Sequence, residues 1–191
     1  MPKKITVLLG SPRRNGNSDT LAASFSKGAA ESGFKASSIR ITGLKIGGCI
    51  DCRRCWTNRA QHCFLNDDMK DVYAEIDKSD VITFVTPLYF YSWSTQIKPA
   101  WDRLLPYFHP KAKVSLKGKR TILIATAGDN DPSCFEGLKK SFELACDFAK
   151  WEIADILLAP GLHEADAAKS SEEWLKRAFE MGKNLGDGIT G

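Results

Sequence analysis

The sequence predicts an α/β fold built on a parallel sheet, and three observations carry that reading. Short apolar, β-branched runs alternate with stretches of helical periodicity, the pattern of strands joined by crossover helices. Four of the five runs are nearly continuous in apolar residues, as strands covered by helices on both faces should be. A polar loop, GSPRRNGNS, leaves the first run and enters the first helical stretch, where open α/β sheets bind anions. With 191 residues and 43% hydrophobic content, the chain is long enough to bury one sizeable core, so a single domain over 1–191 is expected.

In order, the expected strands are ITVLL (5–9), ASSIRI (36–41), VITFVT (81–86), TILIAT (121–126) and ADILLA (154–159). Helices between them follow from apolar spacing: Leu21, Phe25 and Ala29; Met69, Val72, Tyr73 and Ile76; Ile97, Ala100, Trp101, Leu104 and Leu105; Phe135, Leu138, Phe142 and Ala145; Trp174, Ala178, Met181 and Leu185. Core packing accounts for nearly all of these residues. Pro99 fits a helix only if that helix starts near Ser94, with the proline in or just after its first turn. The closing GDGITG reads as a frayed tail.

Composition narrows the function classes. The apolar run in MPKKITVLLG is too short for a signal-peptide core, and no window approaches the roughly 18 apolar residues of a membrane span. A cytoplasmic protein is expected, with reduced thiols. The net charge of +4 comes from scattered Lys and Arg. Without a basic stripe, helix-turn-helix spacing or zinc-finger pattern, it argues against a nucleic-acid partner.

The loop after the first strand matches neither common nucleotide loop. It lacks the Lys-Ser/Thr ending that holds a triphosphate and the G-x-G-x-x-G of dinucleotide folds. IRITG, at the end of the second strand, offers no acidic residue for a ribose. What remains is a set of hydroxyls, amides and guanidinium groups, Ser11, Arg13, Asn15, Asn17, Ser18 and Thr20, suited to one terminal phosphate beside a helix N-terminus. Asn17 or Ser18 could instead serve simply as the helix cap. Further on, TPLYFYSW (86–93) carries four aromatics in five positions, and Pro87 turns the chain out at the sheet edge.

Four of the six cysteines follow C-x2-C-x2-C-x7-C, at Cys49, Cys52, Cys55 and Cys63. Two-residue gaps let one loop wrap three thiolates around a corner of a cubane, as in ferredoxins. Three readings stay open: a cluster, metal-free thiols, or zinc with His62 as an added ligand. Arg53 and Arg54 could offset thiolate charge, and Trp56 could shield the site. Cys134 and Cys146 are read as small core or surface residues. Asp67 and Asp68 are read as helix-start residues that complement the dipole. His109 and His163 sit in no motif.

GSPRRNGNSDT, the cysteine run ending in DDM, and TPLYFYSWSTQIKPAWDR occur in that order within the first 105 residues. Together they resemble the flavodoxin-like FMN reductases, and especially their iron-sulfur flavoprotein branch. The resemblance implies a flavodoxin-like three-layer αβα sandwich with a five-stranded parallel sheet of order 2-1-3-4-5 and FMN at its carboxyl edge. By similarity, Ser11, Arg13, Asn15, Asn17 and Ser18 would meet the phosphate. Pro87, Leu88, Tyr89, Phe90, Tyr91 and Ser92 would meet the ring, with Trp93 a further candidate to stack on it. Thr126, Ala127 and Gly128, leaving the fourth strand at the same edge, would form a third contact. Cys49, Cys52, Cys55 and Cys63, in a loop at about 47–66, would hold a 4Fe-4S cluster. The implied activity is electron transfer from NAD(P)H to a small acceptor such as a quinone, flavin or nitro compound, in a homo-oligomer, dimer or tetramer. The alternative is an electron carrier linking a ferredoxin-type partner to FMN through the cluster. A phosphate-ligand binding module without redox chemistry is a third reading, and predicts a colourless protein.

Overall fold

Five parallel strands form the single sheet of the computed structural model, which describes residues 3–57, 61–108 and 114–186. They are β1 (Lys3–Leu9), β2 (Phe34–Arg40), β3 (Val81–Pro87), β4 (Arg120–Thr126) and β5 (Glu152–Ala159), ordered β2-β1-β3-β4-β5. The helices are α1 (Asn17–Glu31), α2 (Arg54–Thr57), α3 (Met69–Lys78), α4 (Lys98–Asp102), α5 (Glu136–Ala149) and α6 (Glu172–Lys183). This is the expected sandwich of order 2-1-3-4-5.

Strand alternation divides the core in two. Ile5, Val7, Leu9, Val85, Ile122 and Ile124 face α1 and α6, packing on Leu21, Phe25, Ala178 and Met181. Leu8, Ile82, Phe84, Leu123 and Ala125 face the other layer, where Met69, Val72 and Ile76 of α3 and Leu138 and Phe142 of α5 close over them. The first six residues of β3 are buried, whereas the edge strands β2 and β5 are partly exposed. Helices α1 and α6 meet at two glycines. A Cβ at Gly28 would stand 1.9 Å from the Phe179 carbonyl oxygen, and one at Gly182 would stand 2.1 Å from that of Phe25. The backbones therefore approach too closely for any side chain there.

Two helical expectations are corrected. The helix foreseen from Ser94 begins only at Lys98, with Pro99 in its first turn, and ends at Asp102. Proline lacks an N–H and has a pre-set φ, so it is accommodated at a helix start. Leu105 then falls in a 3-10 turn, Leu105–Phe108, and Leu185 likewise lies in a 3-10 turn, Asn184–Gly186, beyond α6. His109 and the tail from 187 lie outside the described residues. No helix among the described residues is long and apolar enough to cross a membrane.

Candidate functional site

The β1–α1 loop is fixed from several sides. Gly10 donates its N–H to Val85 O at 2.8 Å, and a Cβ there would lie 2.6 Å from the Ile97 Cβ, so only glycine lets the loop pass beneath the β3 exit. The Ser11 carbonyl accepts from Thr42 Oγ1 at 2.8 Å and Arg40 Nη1 at 3.2 Å. Asn15 occupies left-handed backbone at φ 57, which asparagine tolerates better than most residues, and donates its N–H to Asp19 Oδ2. Gly16 is the N-cap of α1, and no side chain caps the helix start. The first-turn N–H groups are thus left for other acceptors.

Two of the polar side chains tie distant segments together. Asn17 donates its amide to Leu162 O (3.1 Å) and Glu164 O (2.7 Å) and accepts from Ala168 N (2.9 Å), so its side chain anchors the segment after β5. Ser18 Oγ and Thr126 Oγ1 share a buried hydrogen bond of 2.8 Å, joining α1 to the end of β4.

The β3 exit is a strained, exposed hairpin. Tyr89 N donates to Ser92 O at 3.0 Å and Ser92 N to Tyr89 O at 3.1 Å. Between them Phe90 (φ 48) and Tyr91 (φ 62) are both left-handed, a turn that usually selects Asn and Gly and costs an aromatic residue roughly 1–3 kcal/mol. Phe90 is 97% exposed and Tyr91 61%. Beneath the hairpin, buried Ser94 donates from Oγ to Gly10 O at 2.7 Å and from its N–H to Thr86 Oγ1 at 3.2 Å, locking the two loops to each other.

These loops enclose a cleft of ≈ 230 Å³ at the carboxyl ends of β1, β3 and β4, lined by Ser11, Arg13, Asn17, Ser18, Pro87, Leu88, Tyr89, Thr126, Ala127 and Gly128. Gly16, Leu162 and His163 complete the lining; the last two follow β5, where no motif announced them. Asn15, Phe90, Tyr91 and Ser92 are not among the lining residues. Trp93 is core, 4% exposed, stacked on Trp101 at 4.3 Å and donating from its indole to Ser141.

On the α3 side of the sheet, Cys49, Cys52, Cys55 and Cys63 line one small, mainly apolar cavity with Tyr73, Arg103 and Pro106. Left-handed backbone at Asp51 (φ 47) and Arg53 (φ 54) curls the loop so that its first three cysteines face the same space. All six cysteines are free thiols. Burial, reinforced by the sulfurs of Cys63, Cys52 and Cys49, pushes the Cys55 thiol up.

Arg53 is spent on Asp51 at 3.2 Å, and Arg54 lies over the Phe64 ring at 4.1 Å. The buried cation at this cavity is Arg103, the last residue of TPLYFYSWSTQIKPAWDR, which spacing alone did not mark as a site residue. Its Nη1 donates to Asp67 Oδ2 at 2.5 Å and Gly47 O at 3.1 Å. Burial would lower its pKa, but Asp67 and Cys63 outweigh burial and raise it. Asp67 does start α3 as expected, accepting from Met69 N, but it also accepts from Gly47 N. His62 stacks on Tyr73 and pairs with Asp77 at 3.2 Å.

Among the described residues, no three His, Cys, Asp or Glu side chains stand close enough to bind one metal ion. A cubane is different, because each thiolate binds a separate iron and the four stand farther apart. The donor set and the adjoining buried cation suit such a cluster.

The family model described as NADPH-dependent FMN reductase matches residues 3–142. An iron-sulfur flavoprotein of Archaeoglobus fulgidus is 28% identical over 185 residues, 96% of this chain and 79% of its own. An iron-sulfur flavoprotein of Methanosarcina thermophila is 29% identical over 52% of this chain and 51% of its own. Among solved structures, an NAD(P)H:quinone oxidoreductase from Methanothermobacter marburgensis superposes with a TM-score of 0.75 over 100% of both chains at 15% identity. An FMN-dependent NADH-azoreductase from Bacillus anthracis superposes with a TM-score of 0.69 over 96% of this chain and 99% of its own at 14% identity. At such identities the structures show a shared fold.

Proposed function

The chain belongs to the NADPH-dependent FMN reductase family, and from that premise we propose that it is an FMN-dependent oxidoreductase passing electrons from NAD(P)H to a small acceptor, a quinone, flavin or nitro compound. The observation that carries this reading is the cleft at the carboxyl edge, where the loops after β1, β3 and β4 converge. Bound FMN would supply the redox chemistry, and the chain would supply binding and orientation. Arg13, Ser11 and the uncapped first turn of α1 hold the phosphate, with Asn17 and Ser18 fixing that turn in place. Pro87, Leu88 and Tyr89 flank the ring, and small Ala127 and Gly128 let backbone approach its edge. Phe90, Tyr91 and Ser92 form an outer rim, and Asn15 shapes the loop behind the phosphate. A homo-oligomer, dimer or tetramer, would cover the exposed Phe90 and Tyr91.

A second reading is favoured by the four-cysteine cavity. A 4Fe-4S cluster held there by Cys49, Cys52, Cys55 and Cys63 would make the chain an electron carrier between a ferredoxin-type partner and FMN. Anaerobic purification, a visible spectrum, and iron and sulfide analysis separate the two readings, followed by NAD(P)H turnover with quinone and flavin acceptors. Flavin bands with fast turnover support the reductase. Iron with slow turnover supports the carrier. A colourless chain that takes up no FMN would sink both. Arg13→Ala is expected to weaken FMN binding by about tenfold or more, the loss of a charge-assisted phosphate contact, measured by flavin fluorescence titration.

A further inference from the structure

Arg103 is 2% exposed, and its contacts to oxygen run through Nη1, to Asp67 and Gly47. Its Nε and Nη2 are buried without an oxygen or nitrogen acceptor. Donors shut from water and left unpaired are costly, the more so on a charged group. The guanidinium lines the cavity of the four cysteines, where the Cys63 sulfur is both a hydrogen-bond acceptor for it and an electrostatic partner. Tyr73, also on that cavity, turns its hydroxyl away to the Arg103 carbonyl oxygen at 2.5 Å. Cys63 thus shows that the side of the guanidinium turned from Asp67 meets sulfur in the cavity.

We infer that Arg103 is the positioning residue of the cysteine site, the N–H groups of its Nε and Nη2 donating to sulfur held there and its charge balancing the anion that the sulfurs carry. The inference rests on the reading that the cysteines bind an iron-sulfur cluster. With such a cluster held there, one electron from an external reductant such as dithionite would add one negative charge, with no protein bond made or broken. The guanidinium would attract this charge and so raise the midpoint potential. Asp67 holds the guanidinium in place through Nη1 and leaves the other edge of the fork for the cavity.

The test compares wild type, Arg103→Met and Arg103→Lys after anaerobic reconstitution with iron and sulfide. Iron, sulfide and FMN per chain, the mediated midpoint potential, and iron release to a ferrous chelator are measured. Arg103→Met should keep FMN, shift the potential to more negative values and release iron about tenfold faster, as expected for a lost charged hydrogen bond. Arg103→Lys keeps the charge without the planar fork, and should restore the potential towards wild type while still releasing iron faster. A loaded Arg103→Met with wild-type potential and release rate overturns the inference. Where Arg103→Met loses FMN as well, and so has failed to fold, Arg103→Lys decides alone, and a wild-type release rate overturns it. Wild type that binds FMN but no iron overturns the cluster reading and this inference with it. Wild type that binds iron while the variants match it overturns only the inference.

Discussion

Asp67 shows how far contacts can reshape one carboxylate. Burial alone would raise its pKa, but hydrogen bonds from Arg103, Gly47 and Met69 hold it below the usual carboxylate value. A depressed folded-state pKa contributes stability that is fully present above the ordinary aspartate pKa of about 3.9 and is lost as pH falls through the lower folded value. Asp67→Asn should therefore destabilise the protein at neutral pH and lose less on acidification than wild type, read from denaturation midpoints at pH 7 and in the acid range. Equal acid sensitivity in both proteins would show that Asp67 stays protonation-neutral on folding. In the sequence Asp67 could be read only as a helix-start acid. Its partner lies 36 residues away, and an arginine at the end of a short helix carries no signature of burial. Phe90 and Tyr91 are hard to read in another way: a run of aromatics does not say which of its members point outwards, as these two do. That depends on two left-handed residues which no aromatic sequence would advertise.

At the scale of elements, the clearest dependence is between α1 and α6. Gly28 and Gly182 meet the partner helix's backbone, which cannot rotate away as a side-chain tip can. Gly182→Ala gains helix propensity of about 1 kcal/mol, but overpacking at this crossing costs about 1–3 kcal/mol or more. A net loss of stability by chemical denaturation is expected, and a stabilised variant would mean that the helices stand farther apart. The strands were legible to within about two residues because buried parallel strands must be almost wholly apolar. The pairing of the two helices was not, since each glycine alone reads only as a weak point in a helix. α4 was misread because its apolar spacing continues through Leu104 and Leu105, whereas the helix stops at Asp102.

Across the whole molecule, the cysteines divide by environment. Cys49 and Cys52 are exposed at the loop, whereas Cys146 on α5 and Cys134 in the turn just before it lie in the core. Burial pushes the Cys146 thiol up to about 11. A thiol pKa raised by folding contributes stability that is fully present below the ordinary value of about 8.5 and is lost as pH rises towards the folded value. In iron-free, reduced protein at about pH 8, iodoacetamide should modify Cys49 and Cys52 within minutes and spare Cys146 until global unfolding, as mass spectrometry of quenched samples would show. Modification of all of them at one rate would argue against the packed core. In the sequence, spacing set Cys134 and Cys146 apart from the motif but left open whether they were core or surface residues; both are buried.

The attachment of Asn17 to residues 162–168 has a consequence in time. A chain is made from its amino end and generally folds in that direction, so the β1–α1 loop emerges early. The segment carrying Leu162 and His163, and the helix that covers Phe25, come some 150 residues later. Until then the cradle has a missing wall and its first helix a bare apolar face, a surface for chaperones to hold. With FMN in the cleft as proposed, its capture would be a late event in biogenesis, and nascent chains stalled before residue 160 should emerge apo.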